Sequence, residues 1–243
     1  MVSGAADESA RQLREKKRVL AALVVHDLRS PLSAIQGCLE LLRSELTESA
    51  GGPSPQSLAY IDDATTLVGK ALGLVATILD VEELEDGILR AHRQSARIVE
   101  LIERAIAGNR AQFEVRQLEL VIDVAPDLVG TVDRELIGRV LENLIDNSAR
   151  YAPRGGKVVV KATRDAHFLE LAIGNNGVPV PDTERERIFG RYFQVEARRA
   201  SARANRGLGL YFCKLAAEAH GGSIHVEQRG ELGAVFVVRL AES

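Results

Sequence analysis

Leu28, Leu32, Ile35, Leu39, Leu42 and Leu46 recur in steps of four and three, the seam of an amphipathic helix that packs lengthwise against others. From about Glu8 to Leu46 the chain reads as one long helix, charged at first and apolar along one stripe later. Gly51-Gly52-Pro53-Ser54-Pro55 is a turn signal strong enough to end it. A second helix repeats the alternation through Leu58, Ile61, Thr65, Val68, Leu72, Val75 and Leu79, with Thr65 the single polar position. One hairpin cannot bury both seams. Two hairpins paired as a four-helix bundle can, so a homodimer is expected. Packing of the hairpin onto a second domain is the alternative.

The seam stops near Glu82-Glu83-Leu84-Glu85-Asp86-Gly87, which sets the expected division: an all-α hairpin over residues 1–86 and a second domain over 87–243. Beyond it, Ile98, Leu101, Ile102, Ala105 and Ile106 mark a helix over Ala96–Phe113, and Leu118–Val124 is strand-like. Asp133 is placed to cap a helix running through Tyr151, with Leu136, Val140, Leu141, Leu144 and Ile145 inward. Strands over Lys157–Thr163 and Phe168–Ile173 flank an Asp165-Ala166 turn. A basic irregular stretch leads to a helix over Leu208–His220, then to strands Ser223–Glu227 and Ala234–Leu240. Helices mixed with mostly antiparallel strands predict an α+β two-layer sandwich.

Composition narrows the classes. In 243 residues, 46% are hydrophobic, 4% aromatic and none is Trp, which suits helices packed through aliphatic side chains. A formal charge of −3 gives no reason to expect nucleic acid as a partner. Cys38 and Cys213 lie far apart in apolar patterns and read as buried free thiols in a reducing cytosol, with a disulfide as the alternative. No apolar run approaches the ~18 residues of a spanning segment, and the N-terminus lacks the basic start and apolar core of a signal peptide. A cytoplasmic chain with no direct membrane insertion is expected.

One residue on the first helix does not belong to its seam. His26 precedes Leu28 by two positions, so its ring points sideways, over a face of small residues, Ser30, Ser33 and Gly37. Pro31 loosens the helix just past it. A lone surface histidine is usually inert, but the second domain carries four segments with phosphate and metal chemistry. Asn143 and Asn147 sit one helical turn apart, flanked by Arg139 and Arg150, and an amide oxygen suits Mg²⁺ that keeps most of its waters. Ile173-Gly174-Asn175-Asn176-Gly177-Val178-Pro179 ends a strand, with Gly177 permitting a tight turn and close approach of a ring. Ile188-Phe189-Gly190-Arg191-Tyr192-Phe193-Gln194 opens an arginine-rich segment. Gly207-Leu208-Gly209-Leu210 precedes a helix whose N-terminal N–H groups suit anionic phosphate.

His26-Asp27-Leu28-Arg29-Ser30-Pro31-Leu32 resembles the phospho-acceptor box of sensor histidine kinases of two-component systems. In order and spacing, the four later segments resemble the N box, first glycine box, F box and second glycine box of their ATP-binding domains. The resemblance covers about residues 10–241. It implies an ATP- and Mg²⁺-dependent kinase that phosphorylates His26, with Asp27 as acid/base partner, and passes the phosphoryl group to an aspartate on a response regulator. Ser30 stands where the family orients water for regulator dephosphorylation. Asn147 becomes the Mg²⁺ ligand with Asn143 in support, Arg150 a phosphate contact and Tyr151 an aromatic edge to adenine. Gly177, Gly207 and Gly209 become backbone approach points beside Leu208, and Arg191 a further basic contact.

The departures point toward weaker nucleotide use. Asn175 stands where the family has an aspartate that accepts the adenine amino proton; the lost charge should cost about 1–2 kcal/mol. Pro179 replaces the box's second glycine, Gln194 replaces a basic residue, and Asn205-Arg206 replaces the start of the usual second glycine box. A degenerate kinase acting as a dimeric signalling scaffold is the alternative function, and a stand-alone ATPase of the gyrase-like fold a more distant one.

Overall fold

The structure, a computed structural model, describes residues 32–44, 46, 55–85, 90–191 and 208–242. It divides into two units, Met1–Leu79 and Asp80–Ser243, with the division inside one continuous helix.

In the first unit residues 32–44 are helical (α1) and Pro55–Glu85 forms α2. Pro55 opens α2 at the position where a missing N–H costs nothing. Leu58, Ile61, Val68, Leu72, Val75 and Leu79, the apolar seam, are all exposed in the single chain, as are Leu32, Leu39 and Leu46. Ser57, Ala64 and Ala71, spaced by heptads, are buried instead. By length and composition alone Gln56–Glu85 would suffice to cross a membrane, at a mean hydropathy of 1.5. Gly69, Lys70, Gly73 and Thr77 interrupt the apolar positions, so each apolar run stays short while the average stays high.

The second unit is built on a five-stranded sheet. Its strands are β2 (Glu119–Val124), β4 (Lys157–Arg164), β5 (Phe168–Asn175), β7 (Leu232–Ala241) and β6 (Ser223–Arg229), in that spatial order. Only β2 and β4 run parallel; the other neighbours are antiparallel. A separate ribbon pairs β1 (Gln94–Arg97) with β3 (Val129–Val132). The helices are α3 (Ile98–Ala107), α4 (Arg110–Arg116), α5 (Arg134–Tyr151) and α6 (Gly209–Ala219).

Alternation along the strands sorts the faces. Leu169, Leu171 and Ile173 of β5 join Phe236, Val238 and Leu240 of β7 and the buried faces of α3, α5 and α6 in one core, which also takes in Val81 at the end of α2. The opposite face carries a small apolar patch, Ala172, Val235 and Val237, beside an ionic cluster in which Arg229 and Arg239 flank Glu170. Asp165 makes the β4–β5 turn by accepting the N–H groups of His167 and Phe168, bonds that lower its carboxyl pKa.

The helix expected over Ala96–Phe113 is broken. Gln94–Arg97 is a strand, and the helical remainder splits at Gly108-Asn109, where Asn109 turns its amide back onto the carbonyl of Ala105. The cap on α5 is where the sequence predicts it: Asp133 Oδ1 accepts from the N–H of Glu135 and of Leu136, both at 3.0 Å. Its Oδ2 accepts from His92 N–H, and its own N–H donates to Nε2 of His220 at 3.0 Å.

His220 is fully buried, and its Nδ1 donates to the carbonyl of Ala216, which fixes the neutral tautomer. Burial lowers its pKa below the ordinary 6.5. The folded state therefore binds fewer protons than the unfolded one in acid. Its stability contribution is present above about pH 6.5 and is lost as pH falls through that value. Denaturant unfolding at about pH 7.5 and about pH 5 should show a larger acid loss for wild type than for His220→Gln, which has no imidazole to titrate. Parallel losses would remove His220 from the account.

Candidate functional site

Segments far apart in sequence converge at the C-terminal half of α5. Asn143 and Asn147 lie on its half-buried face. Asn143 Nδ2 donates to the carbonyl of Arg139 at 2.9 Å, which aims its oxygen away from the helix. Gly209, at the start of α6, approaches that oxygen so closely that a Cβ there would lie 2.6 Å from Asn143 Oδ1. The N-box and second-glycine-box positions are thus in contact, and a larger residue at 209 would push the Asn143 amide from its place. The side chain of Asn147 makes no hydrogen bond among the described residues.

The C-terminus of α5 is held from outside. Arg116, on α4, donates through one guanidinium nitrogen to the carbonyl of Arg150 and through the other to that of Ala152 at 2.6 Å. Orphan carbonyls at a helix end are satisfied in this way. Tyr151 is fixed by the same arrangement, and its carbonyl meets the glycine turn after β5: a Cβ on Gly177 would sit 2.2 Å from Tyr151 O. The glycine is needed here for close approach; its φ is not in the left-handed region.

Asn175, the last residue of β5, is fully buried. By alternation with Leu169, Leu171 and Ile173 it faces the helix side of the sheet, and its backbone registers with Val158 and Ala234. Its Oδ1 accepts the N–H of Gly177 at 2.8 Å, and its Nδ2 is buried without a partner. Asn176 points the other way, pairing with Lys157 N–H. In the F-box segment, Ile188 and Phe189 are buried, and Phe189 stands edge-on to Phe236 with centroids 6.3 Å apart.

The basic side chains are engaged. Arg150 pairs with Asp146 one turn back. Arg139 stacks on Phe212, 4.5 Å from its centroid, and pairs with Asp80; burial lowers its pKa. Arg191 is gripped by Glu82 and Glu85, and Tyr211 donates to Glu85. Burial, reinforced by that carboxylate, pushes the Tyr211 hydroxyl well above its usual pKa. The buried Cys213 thiol is likewise driven up and is inert.

Along the chain, residues 82–87 mark only a boundary, and nothing in the sequence pattern assigns a role to Asp80, Tyr211 or Arg116. The acidic run at the end of an apolar helix was the signal for the first of these. His26, Asp27, Ser30, Gln194, Asn205, Arg206 and Gly207 lie outside the described residues. Leu208 is buried and its carbonyl accepts from Phe212 N–H; as the N-cap of α6 it supplies no side-chain cap. No group of three or more His, Cys, Asp or Glu side chains suited to a metal occurs among the described residues.

Residues 16–87 match the His Kinase A (phospho-acceptor) domain, and residues 132–243 match the histidine kinase-, DNA gyrase B- and HSP90-like ATPase family. The chain belongs to the sensor histidine kinases. Among curated relatives, the sensor protein SrrB of Staphylococcus aureus strain MRSA252 is 28% identical over 228 residues. That match takes in 94% of this chain but 38% of the relative, so the chain spans well under half of its length. Among solved structures, the Acinetobacter baumannii histidine kinase AdeS is 20% identical with a TM-score of 0.65, covering 90% of this chain and 98% of that one. The histidine kinase ThkA, solved with response regulator protein TrrA, is 22% identical with a TM-score of 0.62, covering 98% and 66%. These likenesses agree with a helical region followed by an α+β sandwich.

Proposed function

We propose that the chain is the catalytic core of a dimeric, cytoplasmic, Mg·ATP-dependent kinase that phosphorylates its own His26. The phosphoryl group then passes to an aspartate on a response-regulator receiver domain. The observation that carries this is the contact of Gly209 with Asn143 and of Gly177 with Tyr151. It joins three separated boxes of one nucleotide site around the end of α5.

Within that reading the chain divides into a phospho-acceptor hairpin near residues 1–86 and an ATP-binding domain near 87–243. The exposed seam of α1 and α2 favours the dimer, since contiguous exposed Leu and Val on a soluble chain mark an interface. It equally explains the apolar character of α2 without a membrane.

Asn147, with Asn143 beside it, would hold Mg²⁺ through an amide oxygen, with water and nucleotide phosphates completing the shell. The ion supplies charge neutralisation at the phosphates. The uncapped start of α6, from Leu208 and Gly209, offers backbone N–H groups to a phosphate, and Gly207 precedes it. Arg150 and Arg191 would contact phosphate only after exchanging their carboxylate partners. Tyr151 would border the base.

Asp27 orients or takes the proton of one ring nitrogen of His26, leaving the other free to attack the γ-phosphorus. The N–P bond forms as the bond to the departing ADP oxygen breaks. Ser30, four residues after His26, would hold the water that returns the regulator to its unphosphorylated state. The regulator in the ThkA structure supports such a partner.

A second reading, a dimeric scaffold that binds nucleotide weakly, is favoured by the unpaired Nδ2 of Asn175. Uptake of the γ-phosphoryl group on His26 separates the two.

A further inference from the structure

Asn175 has its hydrogen-bonding capacity half used. Oδ1 accepts the Gly177 N–H at 2.8 Å, and Nδ2 is buried without an acceptor. Rotating the amide by half a turn does not help. It would set Nδ2 against the Gly177 N–H, donor to donor, and leave Nδ2, Oδ1 and the Gly177 N–H all unpaired where only Nδ2 is now. The turn also packs tightly on this side chain, since a Cβ on Gly177 would lie 2.7 Å from Asn175 Oδ1. The backbone of the glycine turn therefore fixes the orientation of the amide. What remains for a ligand is a donor.

A buried donor without an acceptor is a standing cost that a ligand carbonyl removes. Purines differ at this point. Adenine carries an amino donor at position 6, whereas guanine carries a carbonyl acceptor there, as does hypoxanthine. We infer that Asn175 converts the base pocket from 6-amino to 6-oxo purine recognition, so that inosine and guanosine nucleotides bind at least as tightly as adenosine nucleotides. The inference rests on the nucleotide-site reading and sharpens its substrate class. An adenine in the same place meets Nδ2 with a donor of its own and needs an interposed water to satisfy both. The direct bond that would select adenine is gone, while a 6-oxo group supplies the missing acceptor. Pro179, in the same turn, offers no backbone N–H that would restore selection.

Titration calorimetry on the full chain with Mg²⁺ and ADP, IDP or GDP tests this. IDP, which lacks the 2-amino group of guanine, isolates the 6-position. Wild type should bind IDP at least as tightly as ADP. Asn175→Asp, which offers only acceptors, should reverse the order, with ADP gaining about ten-fold and IDP losing about as much. The wild-type comparison stands whether or not the variant folds. Tighter binding of ADP than of IDP to wild type overturns the inference and leaves the nucleotide-site reading intact. Binding of none of the three overturns both.

Discussion

Gly177→Ala should weaken nucleotide binding at least ten-fold and lower the melting temperature of the second unit. The added Cβ would sit 2.2 Å from the carbonyl oxygen of Tyr151 and 3.0 Å from its carbon. Both are backbone atoms at the end of α5, pinned by Arg116 and unable to yield as a flexible side chain would. Overpacking of this kind costs about 1–3 kcal/mol. In a domain of this size that is roughly 3–10 °C in melting temperature. The displacement falls between Tyr151 and Asn175, so the base end of the site should suffer first. Calorimetric titration with a thermal melt checks both parts, and a variant with unchanged affinity would contradict the convergence of these segments on one ligand.

Leu72→Asp should convert the proposed dimer to monomer. Leu72 is 64% exposed in the single chain. If the hairpin acted alone, a charge there would change stability by no more than about 0.5 kcal/mol. In a four-helix bundle the same position is interior, and an unpaired carboxylate costs several-fold more. The exposed residue Val115 on α4, at 71%, is the control, and Val115→Asp should leave the assembly intact. Light scattering at micromolar concentration should report a dimer for wild type and for Val115→Asp, and a monomer for Leu72→Asp. A monomeric wild type would exclude the bundle.

Much of this architecture is legible along the chain because long periodic segments state their own type. The heptad seam of α2, the run of α5 with Asp133 at its start, and the paired strands around Asp165 each combine periodicity with a cap or turn residue. The ribbon of β1 and β3 escapes such reading. Four residues are too few to separate a period of two from one of 3.6, and Val129-Gly130-Thr131-Val132 is extended because it pairs with β1, a contact between distant segments. The break at Gly108-Asn109 is masked by apolar spacing that continues through Phe113, which is buried.

The same limit applies at the site. Spacing and residue type single out Asn143, Gly177 and Gly209, where the chemistry depends on local sequence. They say nothing of the ion pairs Arg139–Asp80 and Arg191–Glu82, which arise only from the packing of residues 80–85 with sequence-distant parts of their own unit. Asn175 is the instructive case. The substitution is visible in the sequence, but which end of the amide is free depends on the Gly177 N–H, and that decides between acceptor and donor.

Phosphoryl transfer to one histidine is the central step of the proposed function. The direct measurement is incubation of the full chain with Mg²⁺ and γ-labelled ATP, followed by mapping of the label. Wild type should carry an acid-labile, base-stable phosphoryl group on His26. His26→Ala should carry none while still binding nucleotide. Equal labelling of the two proteins, or a wild type that binds nucleotide and takes up no label, would contradict the autokinase.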